Sequence, residues 1–261
     1  MLRVKTAGGL KRTTSFRSLA LLGFFMHLAA WGLVSCSSDE KQSDTAEGAF
    51  ALAQEYDKDE RYEESIRRYN EVKNKFPYSK FATQAELAVA DVYYKQESFA
   101  EAQVAYQNFK ELHPKHAQID YVTFRLAMSY FMQLPGTIDR DLTLAQSAIT
   151  AFDEMINQYP NSTYLAEAKE KRAESIKKLA EKEEYIADFY FKKAIYDSAL
   201  ARYEGLYRTY PGIGFDAKAL SRAAISAQRT GDLERAKRHL ATLKRNFPGS
   251  NELRIAEREV K

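Results

Sequence analysis

The sequence predicts an all-α chain built as a superhelical solenoid of about five paired-helix repeats, and two observations carry that prediction. The first is composition: of 261 residues only 11 are glycine and six are proline, while 45% are apolar. Such a chain has few turn formers and many helix formers. The second is a register. Five of the six prolines follow an aromatic-type residue, in Phe76-Pro77, His113-Pro114, Tyr159-Pro160, Tyr210-Pro211 and Phe247-Pro248. Twelve residues before each proline stands a small side chain: Ser65, Ala102, Ala148, Ala199 and Ala236. Three residues earlier come Tyr62, Phe99, Ala145, Tyr196 and Leu233, and eight residues before the proline come Tyr69, Tyr106, Phe152, Tyr203 and Leu240.

Offsets of three and four keep these residues on one helix face, and the small one lets a neighbouring helix approach closely. Proline then stops the helix, because it lacks an N–H and its ring clashes with the preceding turn. Ahead of each proline-ended helix the sequence predicts another amphipathic one: Ala46 to Lys58, Lys80 to Lys95, Ile119 to Met132, Lys182 to Lys193 and Phe215 to Arg229. Helix pairs at a period near 34 to 37 residues are the signature of tetratricopeptide repeats. Two intervals are longer. Between Pro114 and Pro160 the surplus falls at Leu134 to Arg140 and reads as a loop inserted inside the third repeat. Between Pro160 and Pro211 it is helical, with Leu165, Ala168, Ala173, Ile176 and Leu179 as its apolar positions, and reads as a linking helix. The expected organisation is a first block of three repeats at 46–162, the linking helix at 163–181 and a second block of two repeats at 182–261, ending in a short capping helix from Asn251.

The amino terminus reads differently. Arg3, Lys5, Lys11, Arg12 and Arg17 precede an apolar run from Ser18 to Val34, and no acidic residue interrupts them. This is the pattern of an export signal. It ends in Leu33-Val34-Ser35-Cys36, which resembles the lipobox of bacterial lipoproteins and contains the only cysteine. Cleavage before Cys36 would leave residues 36–45 as a lipidated polar tether, held to a bilayer by several acyl chains. The other readings are a free or intermolecularly paired thiol and an uncleaved anchor, for which a 17-residue run broken by Gly23, His27 and Gly32 is short. Residues 1–35 hold five of the 39 basic side chains and none of the 36 acidic ones, so the remainder carries 34 against 36, a net of −2. The basic pI of 8.7 thus belongs to the signal segment, and the net charge of the remainder gives no argument for nucleic acid as a partner.

No catalytic constellation emerges. His113 and His116 flank Pro114 and lack the cysteine or carboxylates that would complete a metal site. His239 stands alone on a basic helix. Glu63-Glu64 and Glu183-Glu184 are adjacent pairs, which on a helix diverge by about 100° instead of facing each other. No phosphate loop or nucleophile motif is present. An enzyme is not expected, and no cofactor beyond the covalent lipid on Cys36.

Tyr93-Tyr94-Lys95, Ala102, Pro114, His116, Ile119-Asp120-Tyr121-Val122, Tyr159-Pro160-Asn161-Ser162, Ala187-Asp188-Phe189-Tyr190, Tyr196, Ala199 and Arg202, following a lipobox, resemble the BamD (ComL) family of outer-membrane assembly lipoproteins. The resemblance covers nearly all of the chain after the signal. Lys182-Glu183 stands where many members have His-Glu, and Ala194 where glycine is usual. The resemblance implies a scaffold on the periplasmic face of the outer membrane, within the β-barrel assembly machinery and beside its other lipoproteins. Its amino-terminal repeats would receive the terminal strand of an unfolded outer-membrane protein. Its carboxy-terminal repeats would hold a BamA-like barrel subunit through a periplasmic POTRA domain. Tyr93, Tyr94, Tyr121, Phe124 and Tyr130 are the candidates for an aromatic peptide groove, although such a side chain on a repeat helix packs in the core more often than it contacts a ligand. Arg202 is the candidate for POTRA docking, with an ion pair to Glu204 or another carboxylate as the alternative. Two rival readings are a repeat lipoprotein regulating peptidoglycan synthesis or the Tol system, and a repeat-bearing lytic transglycosylase, for which no catalytic domain is left after the last repeat.

Replacing the sole thiol by Cys36→Ser should release the protein from membranes without unfolding it. Fractionation after a high-salt wash, with partners depleted, checks this; a mutant that stays with the membrane removes the lipid anchor.

Overall fold

A computed structural model describes residues 44–261; the predicted export signal, Cys36 and most of the predicted tether lie outside the described residues. Those described form eleven helices and no strand: α1 Ala46–Lys58, α2 Tyr62–Lys75, α3 Lys80–Lys95, α4 Phe99–Leu112, α5 Ile119–Met132, α6 Thr143–Gln158, α7 Leu165–Lys192, α8 Tyr196–Thr209, α9 Asp216–Thr230, α10 Leu233–Asn246 and α11 Asn251–Glu259. Each packs on the next along the chain, and α11 closes the stack against α9 and α10. The all-helical tetratricopeptide architecture expected from the register is the one observed.

Both ends of every hairpin have a local cause. The second helix of each pair ends on the residue before proline, and Phe76, His113, Tyr159, Tyr210 and Phe247 all leave the helical region in the same way, with φ near −130 and ψ between 52 and 60. Proline's δ-carbon pushes its predecessor out of the α region, so the helix cannot pass. In four of the five pairs the first helix ends differently; α5 instead runs out at Gln133, still in the right-handed region, before the inserted loop. Glu60, Glu97, Ala194 and Gly231, each two residues before the next helix starts, adopt φ of 58, 62, 56 and 86. The amides that follow reach back five residues: Arg61 N–H donates to Tyr56 O, Ser98 to Tyr93, Ile195 to Tyr190 and Asp232 to Ala227, all within 3.0 Å. This left-handed cap turns the chain within two residues.

The small-residue register is where the helices of a pair touch. Ser65, Ala102, Ala148, Ala199 and Ala236 are all fully buried, as are Tyr106, Phe152 and Tyr203. Leu233 differs from its expected inward position: it is 45% exposed, because α11 lies mainly along α9 and leaves it uncovered. The predicted linker and the predicted helix 182–193 are one continuous helix of 28 residues. Its buried positions are Ala168, Ser175, Ala180 and Ala187, all small, while Ala173, expected on the apolar face, is exposed. Ala168 belongs to the core of the third repeat, whereas Ala180 and Ala187 belong to that of the second block. The inserted loop is clamped to this helix, since Lys178 Nζ donates to Pro135 O at 3.2 Å and Lys182 Nζ to Arg140 O at 2.7 Å.

Two consequences can be measured. Ala199→Leu should overpack α8 against its neighbours at a cost of about 1–3 kcal/mol, whereas Ala173→Leu on the open face of α7 should be nearly neutral; equal melting temperatures would show the register to be wrong. Ala194 holds a left-handed backbone, which costs an L-residue about 1–2 kcal/mol. Glycine returns part of that as chain entropy, about 0.5–1 kcal/mol. Ala194→Gly should therefore stabilise by up to about 1 kcal/mol. Gly231→Ala should lose a similar amount, although nothing lies within 4 Å of the added methyl. Thermal unfolding of the two variants should move in opposite directions.

Candidate functional site

The residues best placed to do anything specific sit where first helices of successive repeats meet. On α3, Asp91 is largely buried and its Oδ1 accepts two hydroxyls, Tyr106 OH from α4 at 2.6 Å and Tyr121 OH from α5 at 2.7 Å. Arg125, one turn after Tyr121, donates Nε to the Tyr121 oxygen at 3.2 Å. Its guanidinium lies 4.5 Å from the centre of the Tyr94 ring and 5.3 Å from that of Tyr121, a cation–π arrangement that holds both rings. Burial pushes the Asp91 carboxyl above the usual carboxylate range, and the two hydroxyls and Arg125 offset only part of that. Burial and the Asp91 charge together push Tyr121 up to about 12. Beside this network a polar cavity of about 370 Å³ opens between α1 and α3, lined by Asp57, Asp91, Lys95, His116 and Gln118. Lys95 closes one side by pairing with Asp57 at 2.6 Å.

The same frame recurs 97 residues later. Asp188 stands for Asp91, Tyr203 for Tyr106, Phe191 for Tyr94 and Arg222 for Arg125. Tyr203 donates to Asp188, and the Arg222 guanidinium lies 4.2 Å from the centre of the Phe191 ring. One substitution changes the electrostatics: Tyr121 is replaced by Lys218, whose Nζ donates to Asp188 Oδ2 at 2.8 Å and also meets Glu184. Burial pushes Asp188 up as it does Asp91, but Lys218 and Tyr203 outweigh it, and the carboxyl ends below its ordinary value.

The five aromatics expected to line one groove do not do so together. Tyr94 and Tyr121 meet through Arg125. Tyr93 opens onto a separate cavity with Glu101, Val104 and Asn108, and Tyr130 onto another with Lys110, Gln146 and Glu154. Phe124 leaves the set altogether: it is 2% exposed and stacks on Tyr164 with ring centres 4.9 Å apart. A tyrosine keeps its hydroxyl near water whereas phenylalanine at the α5–α7 contact has nothing to expose, so it becomes core. Arg202 is exposed and pairs with Glu183 at 3.0 Å. Glu204, its nearest acidic neighbour in sequence, is taken instead by Arg235 and by His239 at 2.6 Å, so His239 is not alone as expected. His113 contacts Glu86 at 2.8 Å, and the His116 ring accepts the Gln118 amide. Among the described residues no cluster of three metal-ligating side chains occurs, and no helix is long and apolar enough to cross a membrane.

Asp91 and Arg125 were missed by sequence reasoning although a signal existed: in repeats two and four an aspartate stands 15 residues before the tyrosine that itself lies eight residues ahead of the proline. In repeat three the tyrosine's place is taken by Phe152, which has no hydroxyl to offer, and Thr137 stands where the aspartate would be.

Residues 42–243 match the family model described as YfiO, outer membrane lipoprotein. The chain belongs to that family. Similar proteins include the outer membrane protein assembly factor BamD of Neisseria meningitidis serogroup A, 28% identical over 231 residues that cover 85% of this chain and 86% of that one. Its counterpart in Rickettsia prowazekii is 28% identical over 201 residues, covering 77% and 80%. Among solved structures, the TPR2AB domain of yeast Sti1 overlaps 81% of each chain at 17% identity with a TM-score of 0.39. So loose a superposition leaves the repeat assignment to this chain's own helix pairing. The family match spans both blocks, and with it both aspartate networks.

The two networks predict opposite pH linkage. Asp91, with its folded pKa raised, costs stability while ionised, and that cost is relieved as pH falls through the raised value. Asp188, with its folded pKa lowered, contributes stability at neutral pH that is lost as pH falls through the lowered value. Asp91→Asn, whose amide oxygen still accepts both hydroxyls, should therefore be neutral or stabilising at neutral pH. Asp188→Asn should lose about 1 kcal/mol, the contribution of a charged hydrogen bond discounted for partial exposure. Melting curves across pH decide this; equal losses for both at neutral pH would refute it.

Proposed function

We propose that the protein is a lipid-anchored scaffold of outer-membrane β-barrel assembly, working on the periplasmic face of that membrane. The observation that carries the reading is the family match across residues 42–243, which takes in both helical blocks and the long helix between them. Anchoring through acylated Cys36 rests on the lipobox-like Leu33-Val34-Ser35-Cys36 at the end of the apolar run. Stacked helix pairs bind by presenting continuous surfaces and need no catalytic group.

On this reading the first block receives the terminal strand of an unfolded barrel protein. Tyr93, Tyr94, Tyr121 and Tyr130 remain in play there because each is half-exposed; Phe124 is not. An extended peptide with aromatic side chains would find apolar ring faces edged by Asp57, Asp91, Lys95 and Arg125, groups able to bind its backbone. The second block docks the barrel subunit through a POTRA domain, with Arg202 on the contact face. An exposed ion pair contributes little by itself, so the bond to Glu183 leaves the guanidinium free to exchange partners.

Crosslinking in intact cells followed by identification of the captured envelope proteins tests the assembly role; capture of peptidoglycan synthases or Tol components without barrel proteins would replace it. For the docking residue, titrate the lipid-free domain against the POTRA fragment. Arg202→Glu should cost at least about 2 kcal/mol by opposing like charges, while Glu183→Gln, which frees Arg202, should not weaken binding. Unchanged affinity of the reversed variant removes Arg202 from the interface.

A further inference from the structure

The described chain is electrically divided. Residues 46–195 carry 20 Lys and Arg against 25 Asp and Glu, a net of −5, whereas residues 196–261 carry 13 against eight, a net of +5. The excess concentrates on α10, whose sequence LERAKRHLATLKRN holds five cations and one carboxylate. Its buried positions, Ala236 and Leu243, face the stack. On the opposite side Lys237, Arg238, Ala241, Lys244 and Arg245 are all exposed and fall within about 120° of the helix surface at about 100° per residue.

These cations are not neutralised locally. Lys237 reaches Glu234 at 3.6 Å and Lys244 reaches Glu257 at 3.4 Å, both between well-exposed groups, which solvent screens to little effect. Arg238 and Arg245 form no salt bridge with any carboxylate among the described residues, in contrast to Arg235 on the inner edge, which is held by Glu204. The face also lacks an apolar centre: only Ala241 lies between the charges. Protein interfaces place buried aromatic or aliphatic anchors at their centre with charges at the rim. A field of cations with no such anchor fits a diffuse anionic surface instead.

We propose that the outer face of α10 is a contact site for the anionic phospholipid headgroups of a bilayer. Membership of a lipoprotein family puts a bilayer within reach of the chain. The charge division then orients it, because an anionic surface attracts the carboxy-terminal end and repels the acidic remainder. A second, electrostatic contact adds to whatever a lipid anchor supplies, and each basic residue near such a surface strengthens partitioning by about fivefold.

The test uses the lipid-free chain from Asp44 to Lys261, whose core clusters draw only on residues within it. It is sedimented with vesicles of phosphatidylcholine alone and with vesicles containing an equal share of phosphatidylglycerol. Binding should appear only with phosphatidylglycerol and fall steeply with added salt. The fourfold variant Lys237→Gln, Arg238→Gln, Lys244→Gln, Arg245→Gln should lose at least about a hundredfold in partitioning. A control with the same charge loss on α7 and its C-cap, Lys169→Gln, Lys177→Gln, Lys192→Gln, Lys193→Gln, should keep it. Circular dichroism verifies that both remain helical. Equal loss in the control, equal binding to both vesicles, or no binding to either overturns the proposal, the last outcome returning the face to an acidic protein partner.

Discussion

Everything in this stack depends on helices ending on time. A second helix that ran one residue past its stop would start the next helix about 100° out of phase with the neighbour it must touch, and contacts as tight as those at Ala102 or Ala199, with no exposed surface, leave no room for such a slip. Two chemically different stops share the task. Proline forces the preceding aromatic out of the α region at the outer end, while a left-handed residue closes the inner end. The second device is carried by glutamate, glutamate, alanine and glycine in four repeats. The backbone conformation is therefore imposed by the packing of the pair as much as by local preference.

Within that frame, one side chain changes what a repeat pair does electrostatically. The Asp91 and Asp188 networks share an acceptor, a buried tyrosine and an arginine lying on an aromatic ring. Tyr121 supplies a neutral second donor where Lys218 supplies a charged one. The first block thus retains a carboxylate compensated mainly by hydroxyls at a distance from full charge. The second block has an ammonium bridging Glu184 and Asp188, which ties α9 to α7.

The long helix α7 joins the two. Its fully buried side chains are alanine and serine, which allow close backbone approach, and it is held besides by partly buried aromatics such as Phe191, which packs on Tyr203, and by surface polar bonds such as Arg172 to Asp153. One unbroken helix passes from the core of the third repeat to that of the second block, so a displacement at one end is carried to the other by a stiff rod.

The architecture was legible in the sequence because its causes are local and periodic. Proline, the small residue and the inward aromatic recur at fixed spacing, and α1, α3 and α5 have the bounds that the pattern predicts. The amino-terminal signal and the lipidation of Cys36 are expectations of the sequence alone, since residues 1–43 lie outside those described. Tertiary structure alone decided the rest. Amphipathic periodicity tells which face of a helix turns inward but not which groups meet there from helices 15 or 30 residues away, so Asp91 received its two hydroxyls, and Phe124 its place under Tyr164, only through packing. Arg202 found Glu183 and not Glu204 for the same reason: the partner nearest in sequence was already held by Arg235 and His239 across an inter-helix contact, where burial makes the bond stronger than at the open surface.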